Sequence, residues 1–243
     1  METILSGTIS VKAALEEKKR LIRRLLVNPK KRTKEIGYLI ALAKQQQVPV
    51  VFEEGAAMNE IASGNGGVLL EVEARALPLL GDERLDGLCV YVSGVEDPYN
   101  LGSIARTLYA AGATMMIVHQ RDWSAALPVL MKASAGAWER LPVYAVENDE
   151  QFLSAAKKQN RPVYAAARDD GAKPLFGEHL PKDCLLAIGG AMRGLSAKVL
   201  EASGHHLYIP YGREFRNALD SVGATAVFAF SWTADHAFTL ADK

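Results

Sequence analysis

Apolar residues recur at two spacings along the chain, and the switch between them predicts its elements. From Ser10 to Leu26 the residues Val11, Ala14, Leu15, Ile22, Leu25 and Leu26 fall near helical spacing with basic residues between them. This predicts a helix capped by Ser10 and broken at Asn28-Pro29, followed by a basic loop. Ile36, Leu39, Ile40, Leu42 and Ala43 mark a second helical face, Val48 to Phe52 a short strand, and Met58 to Ala62 a helical turn. The glycine-rich run Ser63 to Gly67 leads into a strand over Val68 to Val72. Between Ala76 and Gly87 the pattern lapses into Pro78, Gly81, Asp82, Glu83 and Asp86, which places a domain boundary near residue 85.

Beyond that boundary short apolar runs alternate with helical ones. Leu88 to Val92, Ala113 to Val118, Pro142 to Val146, Val163 to Ala167, Leu185 to Ile188 and His206 to Ile209 read as strands. Leu101 to Ala111, Asp149 to Lys157, Ser196 to Ala202 and the small-residue stretch Ala218 to Trp232 read as helices. Buried strands alternating with helices imply an α/β fold, a mostly parallel sheet with helices on both faces. The expected organisation is a small α/β domain over residues 1–85 and a larger α/β domain over 86–243.

Composition narrows the class without naming a partner. The 243 residues carry 28 Lys and Arg against 28 Asp and Glu, a formal charge of zero. Two cysteines, Cys89 and Cys184, sit in apolar runs and are too few for a disulfide scaffold. No run reaches the length of a membrane span, and the first residues lack the pattern of a secretory leader, so a cytoplasmic protein with no membrane partner is expected. The zero total hides an asymmetry. Residues 12–34 hold ten cations against Glu16 and Glu17, a local charge of +8 that the other residues balance. Lys30, Lys31, Arg32, Arg23 and Arg24 of this segment either belong to a solvated helix face or contact nucleic acid.

In a parallel α/β sheet, chemistry collects in the loops at the carboxyl ends of strands. Three such loops stand out. The first runs from Gly94 to Arg106, where Pro98 and Gly102 shape a helix start and Asn100 is placed to cap it. Arg106 interrupts an otherwise apolar helix, either tied to a carboxylate such as Asp97 or facing a cleft. The second, Ile188 to Leu195, puts Gly189 and Gly190 straight after a buried strand, which suits either close ligand approach or a tight turn. The third, Tyr208 to Ala224, follows a strand ending at Pro210 with a polar loop holding Arg213 and Arg216. His205-His206 has no partner at metal-ligand spacing, His119 reads as a core histidine, and no metal is expected. Neither a serine nucleophile elbow nor a phosphate-binding GxxxxGK[ST] occurs.

Taken in order, these loops resemble the motifs of the TrmH (SpoU) branch of the SPOUT RNA methyltransferases. Asp97-Pro98-Tyr99-Asn100-Leu101-Gly102-Ser103-Ile104-Ala105-Arg106 followed by Ala111-Gly112-Ala113 is similar to the first motif. Lys132 to Ala137 resembles the family's Ser-Ala-Gly-Ala stretch, Leu185 to Leu195 the second motif and Tyr208 to Ala224 the third. Residues 34–72 are similar to the family's small RNA-binding domain. The resemblance implies transfer of a methyl group from S-adenosylmethionine to a ribose 2′-hydroxyl of structured rRNA or tRNA. It implies Arg106 and Asn100 as catalytic residues, and Gly189, Gly190, Ile209, Pro210, Leu219 and Asp220 around the cofactor. It also implies an α/β trefoil knot, a homodimer with the site at the subunit interface, and RNA contacts by the basic segment and by Arg213 and Arg216.

Two positions depart from the pattern. Where the second motif has Gly-Ser-Glu, this chain has Gly189-Gly190-Ala191, and where the third reads Ser-Leu-Asn it has Ala218-Leu219-Asp220. Asn217 is the nearest substitute for the missing asparagine. The alternative reading is therefore an RNA-binding member of the fold that keeps the cofactor pocket with weakened catalysis.

Overall fold

A computed structural model of the chain describes residues 2–74 and 76–236. In chain order it holds β1 (Glu2–Ser6), α1 (Thr8–Glu17), β2 (Ile22–Val27), α2 (Lys34–Gln45), β3 (Val50–Phe52), α3 (Gly55–Ile61) and β4 (Val68–Glu73). There follow β5 (Leu88–Ser93), α4 (Pro98–Ala110), β6 (Met115–His119), α5 (Leu127–Ala133), α6 (Ala137–Arg140), β7 (Val143–Val146) and α7 (Asp149–Lys158). The chain continues with β8 (Val163–Ala166), β9 (Lys173–Pro174), β10 (Cys184–Gly189), α8 (Ala197–Ala202), β11 (His205–Tyr208) and α9 (Ser221–Asp235). Two compact units emerge: Met1–Ala76 with Asp122–Arg140, and Leu77–Arg121 with Leu141–Lys243.

The smaller unit contains a four-stranded sheet in the order β1-β4-β2-β3, antiparallel except for the β2–β3 pair. Here the expected helix over Ser10–Leu26 is corrected. The helix starts at Thr8 after Gly7, Ser10 is buried inside it rather than capping it, and Lys18 in the left-handed region ends it. Ile22–Val27 is instead a strand. Its contiguous apolar run Leu25-Leu26-Val27 suits a buried strand as well as a helix, and cross-strand pairs decide between them. Arg24 lies opposite Glu71 and binds it through two hydrogen bonds of 2.6 and 2.7 Å, while Arg23 pairs with Glu73. The segment Asp122–Arg140 belongs to this unit through a buried ion pair, Arg20 Nε to Glu139 Oε1 at 2.5 Å, and through Arg140 donating to Glu16.

The larger unit is built on a seven-stranded sheet, β7-β6-β5-β10-β8-β11-β9, parallel at every pairing. The interior strand β5 is buried along its whole length, as a strand covered by helices on both faces must be. Cys89 and Cys184 are free thiols on adjacent strands, and burial pushes Cys184 up to about 12, so both pack as small apolar groups. On the helical side α4 lies against α9, whose small residues permit that approach. No helix among the described residues is long and apolar enough to cross a membrane.

Candidate functional site

Strands β8, β10 and β11 are neighbours in the larger unit, so the loops leaving their carboxyl ends meet. Between them is a cavity of about 310 Å³, within the range of small-molecule sites. Gly189, Gly190, Ile209 and Leu219 line it, which brings together four of the six positions assigned to the cofactor. Apolar walls come from Ile188, Leu195, Leu207 and Phe228, and charge from Arg168, Asp169 and Arg193. Pro210 lies beside it, in a shallower surface depression with Tyr211 and Arg213. Asp220 is turned away to cap α9, accepting from the Gly223 N–H at 2.7 Å.

The two glycines after β10 serve the loop's own packing. Gly190 N–H donates to Ser93 O and Gly194 N–H to Gly190 O, each at 2.8 Å, closing a tight turn. A Cβ on Gly189 would run into the Gly194–Leu195 peptide, and one on Gly190 would stand 2.5 Å from Gly94 O. What approaches closely here is backbone, so the tight turn and the ligand wall are one feature.

The third loop is held from across the cavity by a residue that the motif reading passed over. Arg168, two residues past β8, stacks its guanidinium 4.8 Å from the Tyr211 ring centroid. It donates to the carbonyls of Phe215 and Asn217, both at 3.4 Å. Tyr211 Oη in turn accepts from Leu219 N–H, and Ser221 Oγ donates to Gly189 O, so Leu219 is fixed at both sides. Arg168 and Asp169 were findable by the rule that singled out the other loops, since they follow a buried strand directly. Arg213 and Arg216 stay exposed on the same loop.

Asp169 also fixes its neighbour. His206 Nδ1 is 2.5 Å from Asp169 Oδ2, and His206 Nε2 is 2.9 Å from the Leu200 carbonyl. The Leu200 carbonyl and the Asp169 carboxylate outweigh burial and raise His206 above its ordinary value of 6.5. A raised folded value means the stabilisation is full below 6.5 and disappears as pH rises through the folded value. His206→Gln should therefore narrow the gap to the parent in denaturant midpoint as pH rises from about 5.5 to about 8.5. A gap that widened over that range would refute the assignment.

A second network backs the end of the glycine loop. Asp149 accepts from Ser196, which caps α8, and from the buried Tyr91, with His119 Nε2 at 3.1 Å. Burial opposes its ionised form, but the donors Ser196, Tyr91 and His119 prevail and hold the carboxyl below its ordinary value. His119 is thus a half-exposed member of a polar network rather than a core residue.

Helix α4 corrects one detail. Asp97, and not Asn100, is its cap, accepting from Asn100 N–H at 2.8 Å, and Asn100 sits in the first turn. Because the Asp97 carboxylate is engaged there, it leaves Arg106 alone. Arg106 is exposed and has no ion pair among the described residues. Asn100 and Arg106 are not among the residues lining the cavity. In the smaller unit Arg23 and Arg24 are ion-paired with Glu73 and Glu71, whereas Lys30, Lys31 and Arg32 lie exposed in the loop before α2. Among the described residues no group of three or more His, Cys, Asp or Glu is placed to hold a metal.

Comparison with known proteins identifies this arrangement. Residues 87–230 match the SpoU rRNA Methylase family, and residues 4–78 match RNA 2'-O ribose methyltransferase substrate binding. The chain belongs to the SpoU rRNA methylase family. It is 25% identical to a mitochondrial rRNA methyltransferase 1 of Schizosaccharomyces pombe over 93% of this chain and 87% of that one. It is 29% identical to the 23S rRNA (guanosine-2'-O-)-methyltransferase of Pseudomonas putida over 78% of this chain and 79% of that one. The fold matches the crystal structure of an AdoMet-bound rRNA methyltransferase from Sinorhizobium meliloti, with a TM-score of 0.78 and 22% identity over 98% of this chain and 88% of that one. Against the SpoU pattern, Asp220 takes the place of asparagine and still caps α9, a role the two residues fill about equally well. Ala191 leaves no acid in the glycine loop, and Asp169 is the one carboxylate among the described residues lining the cavity.

Proposed function

We propose that this chain is an S-adenosylmethionine-dependent RNA methyltransferase that modifies a ribose 2′-hydroxyl of structured RNA. The observation that carries the reading is the convergence of Gly189, Ile209 and Leu219, from the second and third motif loops, on one cavity. The cavity suits that cofactor. Ile188, Leu195, Leu207 and Phe228 offer an apolar slot for a flat adenine, while Arg168, Asp169 and Arg193 offer charge to the carboxylate, ammonium and ribose. When bound, the cofactor supplies an activated methyl group on a sulfonium.

The remaining work falls to the protein. A ribose hydroxyl is a poor nucleophile, so holding it in line contributes much of the rate. Arg106, exposed and with no ion pair among the described residues, is the clamp for the target phosphate, and a guanidinium stays charged through such a step. The hydroxyl proton then passes to that phosphate or a neighbouring group. Asn100, six residues earlier on α4, is read as the companion that orients the same nucleotide.

The finer reading follows the family. The larger domain is taken as a trefoil knot, and the molecule as a cytoplasmic homodimer that completes its site from two subunits. Tyr99 and Tyr109 on α4 and Phe230 on α9 are large exposed aromatics, which a second copy would cover. The smaller domain, residues 1–85, is read as the RNA-docking part. Because its relatives are named for 23S rRNA, large-subunit ribosomal RNA is the substrate to try first, with transfer RNA as comparison. Incubation with methyl-labelled cofactor should put label into one of these RNAs and not the other. Binding of both cofactor and RNA with no label transferred would instead mark the chain as a binding member of the fold, a consequence of losing the acid at Ala191.

A further inference from the structure

The smaller unit contains a groove that the motifs do not describe. It runs beside the loop joining β2 to α2 and is lined by Asn28, Lys31, Arg32, Thr33, Lys34 and Phe52 among others, with a volume of about 680 Å³. Phe52, the last residue of β3, is 60% exposed at its edge. An aromatic ring so exposed beside cations asks for an explanation that a core role does not supply.

Charge compensation isolates this place from the rest of the basic segment. Lys12 pairs with Glu16, Lys19 with Glu17, Arg20 with Glu139, Arg23 with Glu73 and Arg24 with Glu71. Lys30, Lys31, Arg32 and Lys34 have no ion pair among the described residues. Lys18 on α1 aside, the positive charge of this segment left for a partner is thus concentrated at and beside the groove.

The loop is also built to hold its shape. Asn28 N–H donates to Gly67 O at 2.9 Å, Lys31 N–H to Asn28 O at 3.0 Å, and Lys30 N–H to Asn28 Oδ1 at 2.9 Å. Gly67, at φ +92, lies so close to Lys31 that a Cβ there would be 2.7 Å from Lys31 Cγ. The start of α2 is already capped, because Thr33 Oγ1 accepts from the Ile36 N–H at 3.3 Å. Any anion in the groove therefore meets side-chain cations and not the helix end.

We propose that this groove receives an unpaired nucleotide of the RNA substrate, its base stacked on Phe52 and the flanking phosphates on Lys31, Arg32 and Lys34. An exposed ring can stack only on a base that is out of a duplex, and A-form helices keep their bases inside. The proposal rests on the reading of the chain as an RNA methyltransferase, and it adds that the docking domain selects a loop or bulge. Stacking and charge then separate by experiment, since only charge responds to salt.

The full chain is titrated with a labelled single-stranded RNA of about eight nucleotides and with an RNA duplex of about 16 base pairs. Phe52→Ala should weaken single-strand binding about tenfold with an unchanged salt slope, leave duplex binding alone, and be rescued by Phe52→Trp. Lys31→Gln/Arg32→Gln/Lys34→Gln should instead lower the salt slope by about 2. Unchanged thermal midpoints show that the variants fold. Single-strand binding by Phe52→Ala within twofold of the parent, or an equal loss on duplex, overturns the proposal. Absence of single-strand binding by the parent overturns it too. The readout needs no methyl transfer, so a parent that binds through Phe52 but transfers no methyl group would sink the enzyme reading while leaving the groove intact.

Discussion

Arg106→Ala should lower methyl transfer to RNA by about 100-fold or more while leaving S-adenosylmethionine affinity within about threefold of the parent. The split follows from position. Arg106 is exposed on α4, the carboxylate that its sequence neighbourhood offers, Asp97, is engaged in capping that helix, and it does not line the cavity of the larger unit. Its guanidinium is therefore available to a substrate and dispensable to the cofactor. Arg106→Lys should recover only part of the loss, because an ammonium replaces a two-pronged donor with a point charge. Single-turnover transfer alongside calorimetric cofactor binding measures both quantities. Transfer by Arg106→Ala within a few-fold of the parent would remove Arg106 from the reaction, and a matching loss of cofactor affinity would move it into the cofactor pocket.

Gly189→Ala should weaken cofactor binding by about 10- to 100-fold and lower the thermal midpoint. The added methyl meets the Gly194–Leu195 peptide, which has no rotamer to give way. The turn closed by Gly194 N–H on Gly190 O must open, and with it the wall formed by Leu195. Ser221, which donates to Gly189 O, carries the disturbance to the third loop. Gly190→Ala should act alike through its 2.5 Å approach to Gly94 O. Equilibrium titration with S-adenosylmethionine checks both. Parental affinity in Gly189→Ala would mean that this turn is not a wall of the cofactor site.

Much of this was legible in the order of residues, for physical reasons that differ by region. The larger unit's strands are short, buried and separated by turns, so β5, β6, β7, β8, β10 and β11 declare themselves by apolar runs alone. The first forty residues did not read as cleanly. Ile22 to Val27 is compatible with either period, and what makes it a strand is pairing with Glu71 and Glu73 some fifty positions away. The same pairing gives Arg23 and Arg24 carboxylate partners within the sheet, which local charge counting cannot tell from Lys30, Lys31 and Arg32. A positive segment is a statement about sequence; the uncompensated part is a statement about structure.

At the cavity the glycines and Leu219 are visible as motifs; Arg168 is marked in the chain only by its place just past β8, while its role, reaching across to Tyr211, Phe215 and Asn217 on a distant loop, is visible only in the fold. By residue type Asn100 reads as a cap, but Asp97 precedes it and ranks equally, so the helix starts earlier. Phe52 gave no signal at all in the chain, since an apolar residue at a strand end reads as core until its exposure is known.

The central claim is that the product is a ribose 2′-O-methyl group on RNA, and one measurement reaches it directly. Large-subunit ribosomal RNA, unmodified and then treated with the protein and S-adenosylmethionine, is subjected to limited alkaline hydrolysis and read at single-nucleotide resolution. A 2′-O-methyl group removes the nucleophile that cleaves the adjacent phosphodiester, so the account predicts a single protected gap that appears only with cofactor and is absent with Arg106→Ala. Label incorporated without any protected position would place the methyl group on a base and contradict it.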